Sequence, residues 1–85
     1  MRYRIEIMPH AARQMKRLPE DIRKRIDGAI LELSDNPRPA GCVKLHGEAN
    51  AWRIRVGDYR IIYEIHDAHL LVQVIRVDHR NSVYR

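Results

Sequence analysis

The segment from Trp52 to Ile65, WRIRVGDYRIIYEI, constrains the fold more than any other part of the chain. Its centre is Gly57-Asp58, a Gly-X pair of the kind that closes two-residue hairpins, because glycine accepts the positive φ of the first turn position. Counting outward from that turn pairs Val56 with Tyr59, Arg55 with Arg60, Ile54 with Ile61, Arg53 with Ile62 and Trp52 with Tyr63. Side chains alternate between faces with period two, so one face is wholly apolar or aromatic. The other carries Arg53, Arg55 and Arg60 and sets two guanidinium groups directly opposite each other, which destabilises a sheet by roughly 0.2 to 1 kcal/mol.

The rest of the chain supplies what the apolar face needs. Arg2 to Met8 alternates, with Tyr3, Ile5 and Ile7 on one side, and reads as a first strand. Pro9 ends it and opens a short helix over about residues 10 to 18, with Ala11, Met15 and Leu18 on one stripe. A second helix follows Pro19, with Glu20 and Asp21 in its first turn and Ile22, Ile26, Ile30 and Leu33 at helical spacing, and stops near Asp35. NPRPAG (36–41) is a loop, CVKLHG (42–47) a short strand, and 47–51 a turn into the hairpin. HLLVQVIRV (69–77) is a further strand. If the loop around Asp67-Ala68 has an even number of residues, Leu70, Val72 and Val74 join Ile61, Tyr63 and Ile65 on the apolar face. The order β-α-α-β-β-β-β predicts one α+β domain over residues 1–85, two N-terminal helices packed on one face of a curved, mainly antiparallel sheet. The core then joins Trp52, Ile54, Val56, Tyr59, Ile61 and Tyr63 to the isoleucines of the second helix. The arginines lie on the other face with Ile62 and Glu64 beside them.

Composition narrows the function classes. Eighty-five residues leave room for one small core. The formal charge is +5, and 13 of the 16 basic residues are Arg, whose guanidinium fork suits phosphate better than an ammonium does. A single cysteine, Cys42, excludes a disulfide framework and fits a reducing compartment, so the expected location is the cytoplasm. No apolar run reaches the roughly 18 residues that span a bilayer, and no membrane partner is expected. His10, His46, His66 and His69 lack metal spacing, and no phosphate-binding glycine loop or nucleophile elbow is present. No metal or cofactor is expected.

Three converging guanidinium groups with only Glu64 nearby repel one another by about 3 kcal/mol per pair at roughly 6 Å and an effective dielectric near 20, before salt screening. A bound anion relieves that repulsion, and a phosphodiester fits guanidinium forks. The stretch VDHRNSVYR (77–85) adds His79, Arg80 and Tyr84 where the last strand ends: an imidazole, a cation and an aromatic platform.

Over nearly its whole length the sequence resembles toxins of the RelE/ParE superfamily of type II toxin–antitoxin systems, through A.RQMKRLP, NPRPAG..KLHG and, more specifically, WRIRVGDYRIIYEI and the HR..VY ending. The resemblance implies a fold akin to microbial ribonucleases. For the RelE-like branch it implies an endoribonuclease that cuts mRNA in the ribosomal A site by attack of a 2′-hydroxyl on the adjacent phosphate, leaving a 2′,3′-cyclic phosphate. It carries the catalytic set onto Arg55, Arg60, Arg80 and Tyr84, and the candidate bases are His79, Glu64 and Tyr84. Arg53, Lys44 and Arg85 are the expected RNA-binding residues. RelE-like members often carry lysines where this chain has Arg53 and Arg55, and an arginine cannot serve as a base. The implied partners are the ribosome, mRNA and a cognate RelB-like antitoxin, acidic or amphipathic, in a hetero-oligomer. The ParE-like branch, which inhibits gyrase without cutting RNA, and a non-catalytic nucleic-acid-binding module are the alternatives.

Overall fold

The structure, a computed structural model, describes residues 2–80. Strand β1 (Arg4–Ile7) leads through Pro9, the first helical residue, into helix α1 (Pro9–Lys16). Proline suits that position because its missing N–H has no intrahelical partner there and its φ is already helical. Pro19 then starts helix α2 (Glu20–Asp35), where Glu20 and Asp21 complement the positive end of the helix dipole and Glu20 pairs with Lys24 at 3.4 Å. Strands β2 (Val43–Lys44), β3 (Ala51–Val56), β4 (Tyr59–His66) and β5 (Leu71–His79) follow. The five strands form one sheet in the order β1-β5-β4-β3-β2, antiparallel except for the parallel β1–β5 pair.

The β3–β4 register is the one counted from the turn: Val56 opposite Tyr59, Arg55 opposite Arg60, Trp52 opposite Tyr63. Gly57 sits at φ +58, the first-position requirement of a Gly-X turn. Helices α1 and α2 cover the apolar face. Ala11, Met15, Ile26, Ile30 and Leu33 meet Ile54, Ile61, Tyr63, Ile65, Val72, Val74 and Val77 in the core, with Trp52, Val56, Tyr59 and Ile22 packed around them. Each fully buried side chain of this kind contributes about 1.5–3 kcal/mol relative to exposure. Tyr63 is wholly buried, and its hydroxyl donates to the Pro37 carbonyl at 2.7 Å, which ties the loop after α2 to the sheet.

Four details differ from the sequence-based expectation. Strand β2 contains two residues, not six, because Gly41 and Gly47 both adopt positive φ and bend the chain away on either side. The β4–β5 connection is a 3₁₀ turn (Asp67–His69) followed by Leu70 at φ 47, so Leu70 caps that turn and does not extend the apolar row. It still spans four residues, an even number, and Val72 and Val74 do enter the core opposite Ile65 and Tyr63. Next, Ile62 pairs with Arg76 whereas Tyr63 pairs with Val74, so Ile75 is an extra residue bulging from β5. The bulge brings Val77 inward and places Arg76 and Asp78 in register with the outer-face residues Ile62 and Arg60, with the Asp78 carboxylate at the β5 edge, where Gln14 of α1 reaches it at 3.5 Å. Finally, Ile62 lies on that outer face yet is only 5% exposed, since its register neighbours are Arg53 and Arg76, whose methylene stems screen it.

Candidate functional site

The outer face of the sheet divides into two halves. Next to the Gly57-Asp58 turn, β3 presents Arg53 and Arg55, β4 presents Arg60, and the bulged end of β5 presents Arg76 and Asp78, with Arg60 opposite Asp78. Among the described residues none of Arg53, Arg55 and Arg60 forms an ion pair. The Nε atoms of Arg53 and Arg60 are buried without a hydrogen-bond partner. Partial burial, and then the charges of Arg55 and Arg60, lower the pKa of Arg53. An arginine remains charged even so, and the unmet donors favour any anion that can receive them.

Arg80 flanks the same turn. Its backbone N–H donates to the Asp58 carbonyl at 2.8 Å, and its guanidinium lies 3.7 Å from the Asp58 carboxylate, an exposed pair that holds it weakly. From α2 the Arg25 guanidinium reaches the turn as well, about an ordinary contact distance from where a Cβ on Gly57 would lie (3.5 Å). Basic groups thus surround the hairpin tip.

The remaining sequence candidates are placed differently. His79 pairs with Tyr59 and meets its ring edge-on at a centroid distance of 5.0 Å. Tyr59 packs on the core, so the His79 side chain belongs to the helix side of the sheet and not to the arginine face. Lys44 pairs with Trp52 and likewise shares the helix side, leaving Val43, opposite Arg53, as the β2 residue on the outer face. Glu64, expected beside the arginines, lies one residue pair beyond Ile62 and is drawn to His66 at 3.2 Å. Tyr84 and Arg85 lie outside the described residues. Two members of the site were missed by sequence reading, Arg76 and Asp78. The available signal was Arg76 itself: unbroken alternation from Val72 and Val74 would put an arginine in the core, and a bulge resolves that conflict.

Away from the turn, the outer face is internally paired. Arg4 meets Glu6 at 3.5 Å, Gln73 Nε2 donates to Glu6 at 3.0 Å, and His66 Nε2 lies 2.9 Å from Gln73 Oε1. A separate cluster locks the loop after α2, where Arg38 forks onto Asp67 at 2.8 and 3.2 Å, Tyr3 donates its hydroxyl to Asp67 at 2.6 Å, and Arg38 lies over the Trp52 ring at 5.1 Å. The Arg38 fork, then the Tyr3 hydroxyl, hold the Asp67 carboxyl down at about 2. Among the described residues no group of three or more His, Cys, Asp or Glu side chains is placed to hold a metal ion, and no helix is long and apolar enough to cross a membrane.

Two helices packed over a five-stranded mixed sheet is the fold this chain shares with solved RelE structures. A family model described as ParE toxin of type II toxin–antitoxin systems matches residues 5–84. Toxin RelG of Mycobacterium tuberculosis is 34% identical over 86 residues, covering 100% of this chain and 99% of its own. Toxin RelE3 of Methanocaldococcus jannaschii is 37% identical over 76 residues, with 85% and 84% covered. Among solved structures, the RelBE2 toxin–antitoxin complex of M. tuberculosis aligns with a TM-score of 0.83 at 32% identity, covering 94% of this chain and 100% of that one. The archaeal RelE–RelB complex of Pyrococcus horikoshii aligns at 0.84 and 26%, covering 94% and 97%. The chain belongs to the ParE toxin family of type II toxin–antitoxin systems, within the RelE/ParE superfamily.

Proposed function

We propose that this toxin is a ribosome-dependent endoribonuclease that cuts mRNA in the A site and so stops translation. The observation that carries the reading is the directly opposed Arg55–Arg60 pair, with Arg53 beside it and no ion-pair partner for any of the three among the described residues. A site built only for solubility gains nothing from burying guanidinium Nε atoms without partners. A site built for a phosphodiester gains three or more charge-assisted donors.

In this reading the 2′-hydroxyl attacks its own phosphate, and negative charge grows on the non-bridging oxygens. Arg60 and Arg80 hold that charge, Arg55 assists from the facing strand, and Arg53 grips a neighbouring phosphate. Preorganised donors of this kind are each worth about 10²–10³ in rate. Tyr84, from the chain end, is assigned to stacking on a base or to proton transfer. The names of the RelE and RelG relatives support the ribonuclease branch. Several of the solved relatives are RelB–RelE complexes, which supports a cognate antitoxin as a partner of this toxin, and in this reading it covers the arginine face. The family model bears the ParE name, which favours a second reading as a gyrase inhibitor.

Primer extension on cellular mRNA after brief induction tests the choice. Translation-dependent cuts that vanish in R60A and R80A variants support the ribonuclease. DNA damage linked to gyrase, without cuts, supports the ParE-like activity, and neither effect would leave a binding module.

A further inference from the structure

We propose that Asp78 is the proton acceptor of the cleavage step, an inference that rests on the ribonuclease reading above. The reaction must remove a proton from the 2′-hydroxyl, and the arginines that line the site cannot take it. Of the described groups able to do so, His79 lies on the helix side of the sheet, Glu6, Glu64 and His66 belong to the paired half of the outer face, and Asp58 sits in the turn itself, where its carboxylate pairs with Arg80. Asp78 alone among the described carboxylates projects from the outer face directly opposite Arg60. Cross-strand neighbours of this kind have Cβ atoms about 4.5–5.5 Å apart, so a phosphate gripped by Arg60 brings its 2′-hydroxyl within reach of the Asp78 carboxylate.

The carboxylate is held in place, not left to wander. Arg76 Nε donates to Oδ2 at 2.8 Å, and Gln14 Nε2 approaches Oδ1 at 3.5 Å. Gln14 in turn accepts the Val77 backbone N–H at 2.7 Å, fastening the β5 edge just where β1 has ended and the bulge has passed. A carboxylate offers about four acceptor sites, and these two donors leave the others for a substrate hydroxyl. The side chain is 23% exposed, enough to be reached. Asp78 is also not engaged by Arg60: its ion pair is with Arg76, while the Nε of Arg60 has no partner. An acid placed to neutralise Arg60 would do the reverse.

In the step, the 2′-hydroxyl proton passes to an Asp78 oxygen as the O2′–phosphorus bond forms. The phosphorus–O5′ bond breaks, and the 5′-oxygen leaves with the electron pair and takes a proton from water. Asp78 then returns its proton to the hydroxide left behind, so the chain is unchanged and the products are a 2′,3′-cyclic phosphate and a 5′-hydroxyl.

Single-turnover cleavage of ribosome-bound mRNA by wild type, D78N and D78E tests this, beside binding of each to ribosomes programmed with mRNA carrying an uncleavable 2′-deoxynucleotide at the cut position. D78N is expected to bind the uncleavable complex at least as tightly as wild type, since a negative charge has left an anion site, and to cleave about 10²-fold more slowly or worse. Cleavage by D78N within about threefold of wild type, against that 10²-fold expectation, overturns the assignment. So does a loss of binding that matches the loss of cleavage, which marks Asp78 as a support for the arginines. If D78N does not fold, D78E decides: it keeps a carboxylate and should cleave faster than R60A, and a rate no better than R60A overturns the proposal. Absence of cleavage by wild type removes the ribonuclease reading itself, whereas cleavage by wild type and D78N alike removes only the role of Asp78.

Discussion

The two halves of the outer sheet face share the same strands and the same freedom from helical cover, yet they treat charge in opposite ways. Beyond Ile62, every long polar side chain on the face from Arg4 to Glu64 finds a partner through Glu6, Gln73 and His66. Beside the turn, Arg53, Arg55 and Arg60 crowd one another with no counter-ion among the described residues. The half beside the turn pairs Arg76 with Asp78 and Arg80 with Asp58 but leaves the three hairpin arginines without an ion pair among the described residues, which supports the reading of that half as a site for a bound anion. Unmet guanidinium groups persist only where another requirement outweighs the few tenths of a kcal/mol to about 1 kcal/mol that their opposition costs on a sheet.

The largest expected effect lies in activity. R60A should lower translation-dependent cleavage by about 10²–10³, whereas E64Q and Q73A, in the paired half, should leave it within a few-fold, as primer extension or single-turnover assays would record. A comparable loss in E64Q would dissolve the contrast between the halves. Binding comes next. R53A should reduce the slope of log affinity for RNA against log salt by about 0.7, one phosphate contact on a single strand, while R4A should leave the slope unaltered. Stability should move in opposite directions. In urea unfolding, R55A is expected to stabilise by about 0.2–1 kcal/mol through relief of the opposed pair. Q73A should destabilise by about 0.5–1.5 kcal/mol, because Glu6 and His66 lose their shared partner. Similar signs for the two variants would mean that the arginines are as well satisfied as the network.

The smallest effect concerns the Arg38–Asp67–Tyr3 cluster, the fully paired extreme of the same contrast. Its carboxyl is depressed from 3.8 to about 2, so its contribution to stability is complete above the unfolded value and is lost as pH falls through about 2. The gap in melting temperature between wild type and D67N should therefore be constant above about pH 5 and close between about pH 4 and pH 2. A gap that does not narrow there would show that Asp67 is not held by Arg38. Within the core, Y63F should cost about 1 kcal/mol, since the Pro37 carbonyl loses its donor at a fully buried position.

Much of this was legible along the chain, and the illegible parts share a cause. The Gly57-Asp58 turn and the period-two alternation around it determined the β3–β4 register residue by residue, and with it the placement of Arg53, Arg55 and Arg60 on one face. The helical spacing of Ile26, Ile30 and Leu33 determined which side of α2 meets the sheet. Both signals are local, since each rests on the geometry of one element and the residues next to it. The bulge at Ile75 is not local: it reconciles the pairing of β5 with β4 to the needs of a core that accepts Val77 and rejects Arg76. Slipping the register by one residue exchanges faces, and that single irregularity moved Arg76 and Asp78 onto the arginine face.

The sequence by itself thus determined the hairpin, its cationic face and the two amphipathic helices, because backbone periodicity and turn chemistry act over a few residues. Tertiary structure alone decided that His79 and Lys44 stand on the helix side, that Glu64 is held by His66, and that Arg38, Asp67 and Tyr3 meet across separations of 29 and 64 residues. It also decided that Asp78 faces Arg60. Those outcomes depend on how distant strands are registered against each other, which no stretch of the chain encodes until the core has closed.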